Sequence, residues 1–463
     1  MNETQATELL SAMNASFLIS HWKRLDSKQK EHLLAQLKRI DLPTLHLQQQ
    51  MLIETIILET AVQDNKDRSI SPFEDYEYAG NEADKKSGKK IISEGLVGSL
   101  IVAGGQGSRL NIEGPKGVCQ VSKVRKKSLF QLFSEKVAAA GKQAGRLLPF
   151  AIMTSPLNHE DTVAFFQKHD FFGLTPKQVF FFQQEMLPLL DTKGHVFLES
   201  QDTLSEGPDG NGGALHQFFK SGIWEDWHSK GIRYVNFLPI DNPLADPFDA
   251  ELIGFQKRKK SDSVIKCTMR EDPEESVGIL IKEKGKAGVI EYSELTPQVR
   301  CEISPEGKLS YPLANLSLFS FNMEFIKLVA ETFQPILHKA FKAVKFLDKE
   351  GHSVKAEKPM AWKFEKFIFD ILPLASNVHA LVYPRESCFA PLKNLTGSGS
   401  FEEVAAALEV KDRQILSAIT GSSCTAKSLE ISQEFYYPMP ELLAKWKGKV
   451  ISQEGYIEPK NGS

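Results

Sequence analysis

The segment LIVAGGQGSRLNIEGPKG (residues 100–117) passes from an apolar run into a loop that is rich in glycine and contains two cations, Arg109 and Lys116. The apolar run predicts a buried strand over residues 96–103. Glycines let backbone N–H groups approach phosphate oxygens closely, and the two cations would neutralise phosphate charge. The loop is therefore a candidate triphosphate site, although its composition alone also fits a glycine turn with two solvated surface cations.

Two common nucleotide-binding motifs are absent from this loop. The pattern GxxxxGK[ST] does not occur, and Leu110 stands where a third glycine would follow Gly105 and Gly107 in the dinucleotide-binding pattern. An acidic residue about 20 positions further on is also missing. These differences disfavour a nicotinamide-dependent oxidoreductase.

Downstream of the loop, strand-like and helix-like segments alternate. A helix over residues 129–140 is predicted to begin after Ser128, with Gln131 in capping-box spacing, and to end at Gly141. The remaining predicted strands are residues 150–154, 178–182 and 234–240, and the remaining helices are residues 160–168 and 214–220. This alternation predicts an α/β fold with a mostly parallel sheet and helices on both faces, where ligands bind beyond the carboxyl ends of the strands.

The ends of the chain differ from this middle region. Residues 1–65 are typical of helices, and one helix is expected to begin after Asp26, with Gln29 completing a capping box. The polar stretch NEADKKSGKK (residues 81–90) indicates a flexible connection. Past about residue 400 the alternation weakens. We therefore expect a helical N-terminal region and linker at residues 1–90, a catalytic domain at residues 91–400 and a small C-terminal domain at residues 401–463.

Composition excludes several classes of protein. The net charge of −3 and the pI near 6.5 provide no global basic field, so neither nucleic acid nor an anionic membrane is expected as a partner. No apolar run approaches the ~20 residues that span a bilayer, and the first residues do not form a secretory signal. The cysteines are odd in number and contain no CxxC pair, which fits a reducing cytoplasm: Cys119, Cys267, Cys301, Cys388 and Cys424.

The pattern AGGQGSRL…PKG, followed by KSLFQLFSEK, resembles the signature of eukaryotic-type UDP-N-acetylhexosamine pyrophosphorylases, within the UTP:sugar-1-phosphate uridylyltransferase group. Further motifs of that family follow in its order over most of the chain: FFGL, FFQQEMLP, PDGNGG, the Asp241-Asn242 pair, VIEYSEL, WKFEKFIFD and FAPLKN. The resemblance implies an extended Rossmann-like domain with a mixed sheet, flanked by small N- and C-terminal domains. It also implies Mg²⁺ as cofactor, and UTP and a sugar 1-phosphate as substrates.

The resemblance also implies the site residues. Arg109, Lys116 and Lys363 would be the catalytic cations, and Asp241 would be both a nucleotide-site residue and the metal ligand. Gln184 would contact uracil. The other substrate-binding residues would be Val102, Ala103, Gly104, Gly105, Gly210, Asn211, Glu291, Tyr292, Asn315 and Lys393.

The residues themselves leave several of these roles open. Asp241 ends an apolar strand and suits Mg²⁺, which favours carboxylate and phosphate oxygens, but it could equally cap the following segment. Lys363 and Lys366 are expected one turn apart on a helix, where solvated lysines are common. Two departures from the family pattern are Ala314, where a glycine usually precedes Asn315, and Asn111, which tolerates left-handed geometry.

We therefore expect a uridylyltransferase that makes UDP-N-acetylglucosamine and pyrophosphate. A UDP-glucose or broad UDP-sugar pyrophosphorylase is the alternative within the same fold, and a non-catalytic nucleotide-sugar-binding protein is the alternative from another class. His216, His338 and His379 have no metal-like spacing, so they are expected to be structural or surface residues. The sequence makes no prediction of the oligomeric state.

Overall fold

A computed structural model describes residues 3–60, 69–107, 110–112, 114–452 and 454–461. Its helices are α1 (Glu3–Ala12), α2 (Ile19–Arg24), α3 (Ser27–Leu37), α4 (Leu42–Thr60), α5 (Glu82–Ser93), α6 (Leu129–Ala144), α7 (His159–Lys168), α8 (Ala214–Lys220), α9 (Ile223–Ser229), α10 (Ala250–Lys259), α11 (Pro297–Cys301), α12 (Met323–Thr332), α13 (Arg385–Cys388), α14 (Phe401–Thr420) and α15 (Pro440–Trp446).

Its strands are β1 (Ile70–Pro72), β2 (Tyr76–Tyr78), β3 (Val97–Val102), β4 (Phe150–Thr154), β5 (Val179–Gln183), β6 (Met186–Pro188), β7 (Leu190–Asp191), β8 (Glu206–Pro208), β9 (Tyr234–Pro239), β10 (Ser263–Met269), β11 (Gly278–Glu283), β12 (Lys286–Ile290), β13 (Leu313–Asn322), β14 (His338–Lys342), β15 (Lys345–Leu347), β16 (Ser353–Lys355), β17 (Ala361–Glu365), β18 (Val378–Val382), β19 (Leu429–Ile431) and β20 (Gly455–Ile457).

These elements divide into two compact units. The larger unit comprises the described residues of 69–183, 214–334 and 368–463, and the smaller unit comprises those of 1–68, 184–213 and 335–367. The three consecutive domains expected from the sequence remain a prediction.

The larger unit is built on a mixed, mostly parallel sheet. Its main strand order is β2-β18-β10-β13-β9-β3-β4-β5, and β13 runs antiparallel to both of its neighbours. The other pairs along this path are parallel, and β1, β11 and β12 extend the sheet through antiparallel pairing beside β13. The predicted α/β fold with a mixed, mostly parallel sheet is confirmed.

Helix α6 packs on this sheet and begins as the sequence predicts. The Ser128 side chain accepts a hydrogen bond from the Gln131 N–H, and Phe130 and Phe133 are buried in the main core. The predicted end at Gly141 is wrong, because α6 continues to Ala144 and ends at Gly145, whose φ is 68°. Gly141 is needed for close packing instead, since a Cβ there would lie 2.8 Å from a backbone oxygen.

The stretch predicted to be flexible, residues 81–90, is part of helix α5. The Asn81 side chain caps the helix by accepting hydrogen bonds from the N–H groups of Ala83 and Asp84. Helices α5 and α10 then cross in direct backbone contact. A Cβ at Gly88 would lie 1.6 Å from the Ala250 oxygen, and one at Gly254 would lie 1.8 Å from the Asp84 oxygen.

The C-terminal part of the larger unit has a small core of its own. Helices α14 and α15 and the parallel pair β19–β20 surround this cluster. Its buried residues are Leu416, Ala426, Leu429, Ile431, Phe435, Leu442, Trp446, Ile451 and Ile457.

The smaller unit combines helices α1–α4 with short antiparallel strands. The capping box at Asp26 and Gln29 is confirmed at the start of α3. Strands β14, β17 and β7 form a three-stranded sheet, and Phe364 on β17 and Leu190 on β7 share an apolar core with Leu33 of α3. Among the described helices of both units there is none with the length and apolar character needed to cross a bilayer.

The crossing of α5 and α10 predicts that Gly88→Ala and Gly254→Ala each lower the free energy of unfolding by at least about 1–3 kcal/mol, because the added methyl group has no space. This loss should exceed the roughly 1 kcal/mol by which alanine favours a helix over glycine. Chemical denaturation measures the effect. Lys89→Ala, on the exposed side of the same helix, is the control and should stay within about 0.5 kcal/mol of the unsubstituted protein. Equal stability of all three variants would contradict the close contact.

Candidate functional site

The glycine-rich loop leaves the carboxyl end of β3, as the sequence predicts. Val102 ends the strand, Ala103 is buried, and Gly104 and Gly105 follow. The space around Gly105 is open, since a Cβ there would meet no atom within 4 Å. Asn111 adopts a φ of 50°, which is the left-handed geometry that asparagine tolerates. Arg109 lies outside the described residues.

A buried asparagine that the sequence analysis missed supports this loop. The Asn158 side-chain amide donates to the Ala103 oxygen at 3.0 Å and to the Gly105 oxygen at 3.4 Å. Its Oδ1 accepts from the Ser155 N–H at 2.8 Å. Asn158 therefore ties the loop after β3 to the turn after β4, and the carbonyl groups of the loop are held in one orientation.

Lys116 and Asp241 form an ion pair at the carboxyl end of β9. Lys116 begins a short 3₁₀ turn, and its Nζ lies 3.4 Å from Asp241 Oδ2 and donates to the Leu392 oxygen at 3.0 Å. The two side chains are 19% and 22% exposed, so both remain accessible to solvent or a ligand. The structure thus brings together two of the predicted site residues that are far apart in sequence.

Asp241 does not cap the helix that follows it. Helix α10 is capped by Asp249, whose Oδ1 accepts from the Leu252 N–H at 3.1 Å. The carboxylate of Asp241 therefore remains available at the carboxyl end of β9, next to Lys116. In the part of the chain that the structure describes, no group of three or more His, Cys, Asp and Glu residues could hold a metal ion. A metal at Asp241 would therefore need ligands from the substrate or from water.

Lys393 follows a segment that is attached to Asp241. The Leu392 N–H donates to the Asp241 backbone oxygen at 2.8 Å, and the Lys393 N–H donates to the Gly399 oxygen at 2.8 Å. The Lys393 ammonium has no hydrogen bond or ion pair with any described residue, so its charge is available to an anionic ligand.

Glu291, Tyr292 and Asn315 lie on or directly after the antiparallel strands β12 and β13 of the larger unit. Glu291 and Tyr292 directly follow β12, and Tyr292 is exposed. Asn315 is buried on β13 and is paired in register with Gly278, where an added Cβ would lie 3.3 Å from Glu291 Oε1. Glu291 and Asn315 are therefore both close to Gly278.

Ala314 does not crowd the side chain of Asn315. The methyl group of Ala314 is fully buried in the main hydrophobic core, whereas successive side chains of a strand point to opposite faces. The Asn315 side chain instead accepts from the Ser317 N–H at 3.1 Å, where Ser317 has a φ of 55°. The replacement of glycine by alanine is therefore accommodated in the core.

In the smaller unit, Gln184 and the PDGNGG loop lie together. The buried Gln184 amide donates to Asp209 Oδ1 at 3.3 Å and to the Gly210 oxygen at 3.1 Å. Gly210 has a φ of 89°, and a Cβ there would lie 2.4 Å from the Lys366 oxygen, so only glycine fits. Asn211 is the next residue of the loop. As predicted, the loop leads directly into α8.

Lys366, which the sequence analysis left unassigned, forms a buried ion pair below this loop. Its Nζ lies 3.0 Å from Asp209 Oδ2 and 3.4 Å from Glu185 Oε2. Burial raises the pKa of Asp209 to about 6, although Lys366 acts in the opposite direction. Burial alone would lower the pKa of Lys366, but Asp209 and Glu185 outweigh it and raise that pKa. The pair fixes the Asp209 carboxylate that orients Gln184.

Lys363 is not on a helix, contrary to the sequence prediction. It lies on strand β17, and its Nζ contacts Glu365 Oε1 at 2.8 Å. Residues two apart on a strand share a face, so Lys363 and Glu365 lie on the same side of β17. Lys366 follows the end of the strand and is not one helical turn from Lys363, as the sequence analysis had expected. The alternation of Trp362, Lys363, Phe364 and Glu365 follows the period of a strand.

His216, His338 and His379 each contact a neighbouring backbone oxygen, hydroxyl group or aromatic ring. His216 Nδ1 lies 3.1 Å from the Ala330 oxygen, His379 Nδ1 lies 2.9 Å from Ser261 Oγ, and the His338 ring is 4.6 Å from the Phe367 ring. The five cysteines are free thiols.

Comparison with known proteins identifies related chains. A family profile described as "UTP--glucose-1-phosphate uridylyltransferase" matches residues 46–414. UDP-N-acetylhexosamine pyrophosphorylase-like protein 1 of Mus musculus is 36% identical over 318 residues, which cover 67% of this chain and 63% of that protein. The match thus spans less than two thirds of that relative's own length. UDP-N-acetylglucosamine diphosphorylase 2 of Arabidopsis thaliana is 32% identical over 399 residues, which cover 82% of this chain and 78% of that protein.

The fold also matches a solved structure. The uridine diphosphate N-acetylglucosamine pyrophosphorylase from Trypanosoma brucei, in complex with inhibitor, has a TM-score of 0.78, with 98% of this chain and 99% of that chain covered. The identity is 22%, so this match supports the fold alone.

The buried pair of the smaller unit predicts a pH-dependent effect of Lys366→Met. Removing one partner of a buried pair leaves an uncompensated charge, which typically costs about 3–5 kcal/mol. The pKa of Asp209 is raised in the folded state, so the folded protein binds a proton at this carboxyl more tightly than the unfolded chain does. The stability that Asp209 contributes is therefore fully present below its ordinary pKa of 3.8, and it is lost as the pH rises through about 6. The loss of unfolding free energy in Lys366→Met should therefore be largest at pH 8 and smaller at pH 5, where Asp209 is protonated.

Urea denaturation at the two pH values measures this difference. Lys363→Met is the matched control, because its partly exposed pair with Glu365 contributes at most about 1 kcal/mol at either pH. A loss in Lys366→Met that is the same at pH 5 and pH 8 would show that Lys366 does not influence the pKa of Asp209.

Proposed function

The chain belongs to the UTP--glucose-1-phosphate uridylyltransferase family, and we propose that it transfers a uridylyl group from UTP to N-acetylglucosamine 1-phosphate and releases pyrophosphate. The observation that supports this reaction most directly is the Lys116–Asp241 pair beside the open glycine loop, at the carboxyl ends of neighbouring parallel strands. The choice of sugar is supported by the names of its relatives and by the motif VIEYSEL.

The proposed chemistry is an in-line displacement at the α-phosphorus of UTP. A phosphate oxygen of the sugar 1-phosphate forms a bond to this phosphorus, the bond from it to the bridging oxygen of pyrophosphate breaks, and pyrophosphate leaves with the electron pair. The attacking oxygen is already anionic, so the reaction requires no general base. Catalysis then depends on alignment of the reactants and on neutralisation of phosphate charge.

The larger unit provides groups for both tasks. A Cβ added at Gly105 would meet no described atom within 4 Å, so the backbone N–H groups at this point of the loop are proposed to approach phosphate oxygens. Lys116 is held by Asp241 and the Leu392 oxygen, so its ammonium is oriented before a substrate binds. Lys393 has no partner among the described residues and is proposed to bind the sugar 1-phosphate. Arg109 is proposed to neutralise the triphosphate.

Mg²⁺ is the proposed cofactor, and the residues present fit it. Asp241 would hold the ion, because a carboxylate together with phosphate oxygens and waters is the ligand set that magnesium prefers. When bound, Mg²⁺ would supply neutralisation of phosphate charge. The protein's own contribution is to hold the Asp241 carboxylate at the strand end, next to Lys116 and free of a capping role.

The remaining roles follow from the family resemblance and stay proposals. In the smaller unit, Gln184 would bind uracil, Gly210 and Asn211 the nucleoside, and Lys363 a phosphate. In the larger unit, Glu291, Tyr292 and Asn315 would bind the sugar, which agrees with the position of Glu291 and Asn315 near Gly278. A cytoplasmic location is also proposed, on the basis of the free cysteines.

Pyrophosphate release with UTP and Mg²⁺ across a panel of sugar 1-phosphates tests the proposed function. N-acetylglucosamine 1-phosphate should give a higher kcat/KM than glucose 1-phosphate. A pocket that accepts the acetyl group by apolar contact discriminates by only about 1–3 kcal/mol, so we expect a preference and not exclusion. A clear excess for glucose 1-phosphate would favour a UDP-glucose pyrophosphorylase. No turnover with any sugar would favour a non-catalytic binding protein.

The proposed charge neutralisation predicts that Lys116→Ala and Lys363→Ala each lower kcat by roughly 10²-fold or more. Each variant removes a charge that would stabilise the transition state, as when a preorganised oxyanion donor is lost. Lys257→Ala, which removes an exposed lysine of α10, is the control and should retain its kcat. Unchanged kcat in either Lys116→Ala or Lys363→Ala would remove that lysine from the proposed mechanism.

The proposed metal site predicts that Asp241→Asn raises the Mg²⁺ concentration required for half-maximal activity, because a neutral amide is a poorer ligand for a hard dication. Asp161→Asn, which removes one exposed carboxylate of α7, controls for the change in net charge. A titration that overlays that of the unsubstituted protein would show that Asp241 does not hold the metal.

A further inference from the structure

Asn242 is a buried side chain to which the proposed mechanism gives no role, although it directly follows Asp241. It is 0% exposed. Its Nδ2 donates to the Cys388 oxygen at 2.8 Å, and its Oδ1 accepts from the Ala390 N–H at 3.0 Å. Both ends of one amide are therefore used on the backbone of residues 388–390.

Two further hydrogen bonds hold the same segment. The Leu392 N–H donates to the Asp241 oxygen at 2.8 Å, and Lys116 Nζ donates to the Leu392 oxygen at 3.0 Å. The contacts thus fall on alternate residues, Cys388, Ala390 and Leu392. Four hydrogen bonds therefore attach this segment to the loop after β9 and to Lys116, and two of the four come from the Asn242 side chain.

The next residue is Lys393. Its own N–H is fixed to the Gly399 oxygen, so its backbone is held on both sides while its ammonium has no partner among the described residues. The position of the Lys393 charge relative to Asp241 therefore depends on how firmly residues 388–392 are attached.

From this geometry we propose that Asn242 is a positioning residue, which fixes residues 388–392 on the loop that carries Asp241 and thereby holds Lys393 in place for the sugar 1-phosphate. The inference rests on the proposed function for its effect on catalysis. The physical reason is preorganisation: a buried hydrogen-bonded amide fixes a backbone more firmly than an apolar contact can, and small misplacements of a reacting group reduce the rate strongly.

Asn236 provides a matched comparison. It lies on β9, is 1% exposed, and its Nδ2 donates to the Pro247 oxygen at 3.1 Å. Its side chain makes no hydrogen bond to residues 388–392. Both asparagines are therefore buried and donate to a backbone oxygen, Asn236 from β9 and Asn242 from the loop that follows it, and they differ in whether their amide holds the Lys393 segment.

The kinetic test compares Asn242→Ala and Asn242→Asp with Asn236→Ala. Asn242→Asp keeps the size of the side chain but replaces the donor to Cys388 with an acceptor. Both Asn242 variants should raise KM for N-acetylglucosamine 1-phosphate and lower kcat by roughly tenfold or more, with a smaller change in KM for UTP. Asn236→Ala should change these constants little, even if it lowers the melting temperature equally. Kinetic losses that are equal for the two asparagines would overturn the proposal.

A double-variant cycle with Lys393→Ala separates positioning from a general structural effect. If Asn242 acts through Lys393, the kinetic loss caused by Asn242→Ala should shrink to within about twofold when Lys393 is already alanine, because residues in one network are not additive. A full loss in that background would overturn the proposal.

Hydrogen exchange tests the attachment independently of activity. The amides of Ala390 and Leu392 should exchange faster in Asn242→Ala and Asn242→Asp than in Asn236→Ala or the unsubstituted protein. If the unsubstituted protein shows no turnover, the proposed function fails, while this exchange still decides whether Asn242 holds the segment. Unchanged exchange at Ala390 in both Asn242 variants would overturn the inference.

Discussion

The parallel register of β3 and β9 determines where the chemistry of the larger unit is found. Val102 and Pro239 are partners in this register, so the two strands end side by side. The glycine loop leaves one strand end and Asp241 leaves the other, and the Lys116 side chain joins them. In a parallel sheet, residues more than a hundred positions apart can meet in this way without any local sequence relation. The attachment of residues 388–392 to the same place then adds a third segment.

The elements that the sequence predicted well are those with local causes. The strands β3, β4, β5 and β9 are mostly apolar, and the starts of α3 and α6 have capping residues next to the helix. Two of the three wrong predictions concerned the type of secondary structure. The polar composition of residues 81–90 concealed a helix whose Gly88 contacts α10, and the phenylalanines around Lys363 were interpreted as a helix although residues 362–365 alternate with the period of a strand.

The candidate site was only partly predictable for a related reason. Lys116 and Asp241 were named as candidates because each follows a strand within a recognisable motif, and the structure places their charged groups 3.4 Å apart. Asn158 and Lys366 were not assigned roles, because their partners lie far away in sequence: the Ala103 oxygen in one case and Asp209 in the other. Hydrogen bonds to backbone oxygens leave no pattern in the sequence, so such supporting residues become visible only in the folded chain.

The smaller unit is formed by three segments that are far apart in the chain, and this affects how it can fold during synthesis. Helices α1–α3 share their apolar core with Leu190 and Phe364, which are made much later than the helices themselves. At about 5–20 residues per second, the ribosome needs on the order of tens of seconds to reach Phe364 after α3 is complete. During that interval the part of this core that Leu190 and Phe364 supply is missing, and only the N-terminal helices cover Leu33 and Leu37. The nascent chain therefore presents an apolar helical surface, which is the kind of surface that chaperones bind.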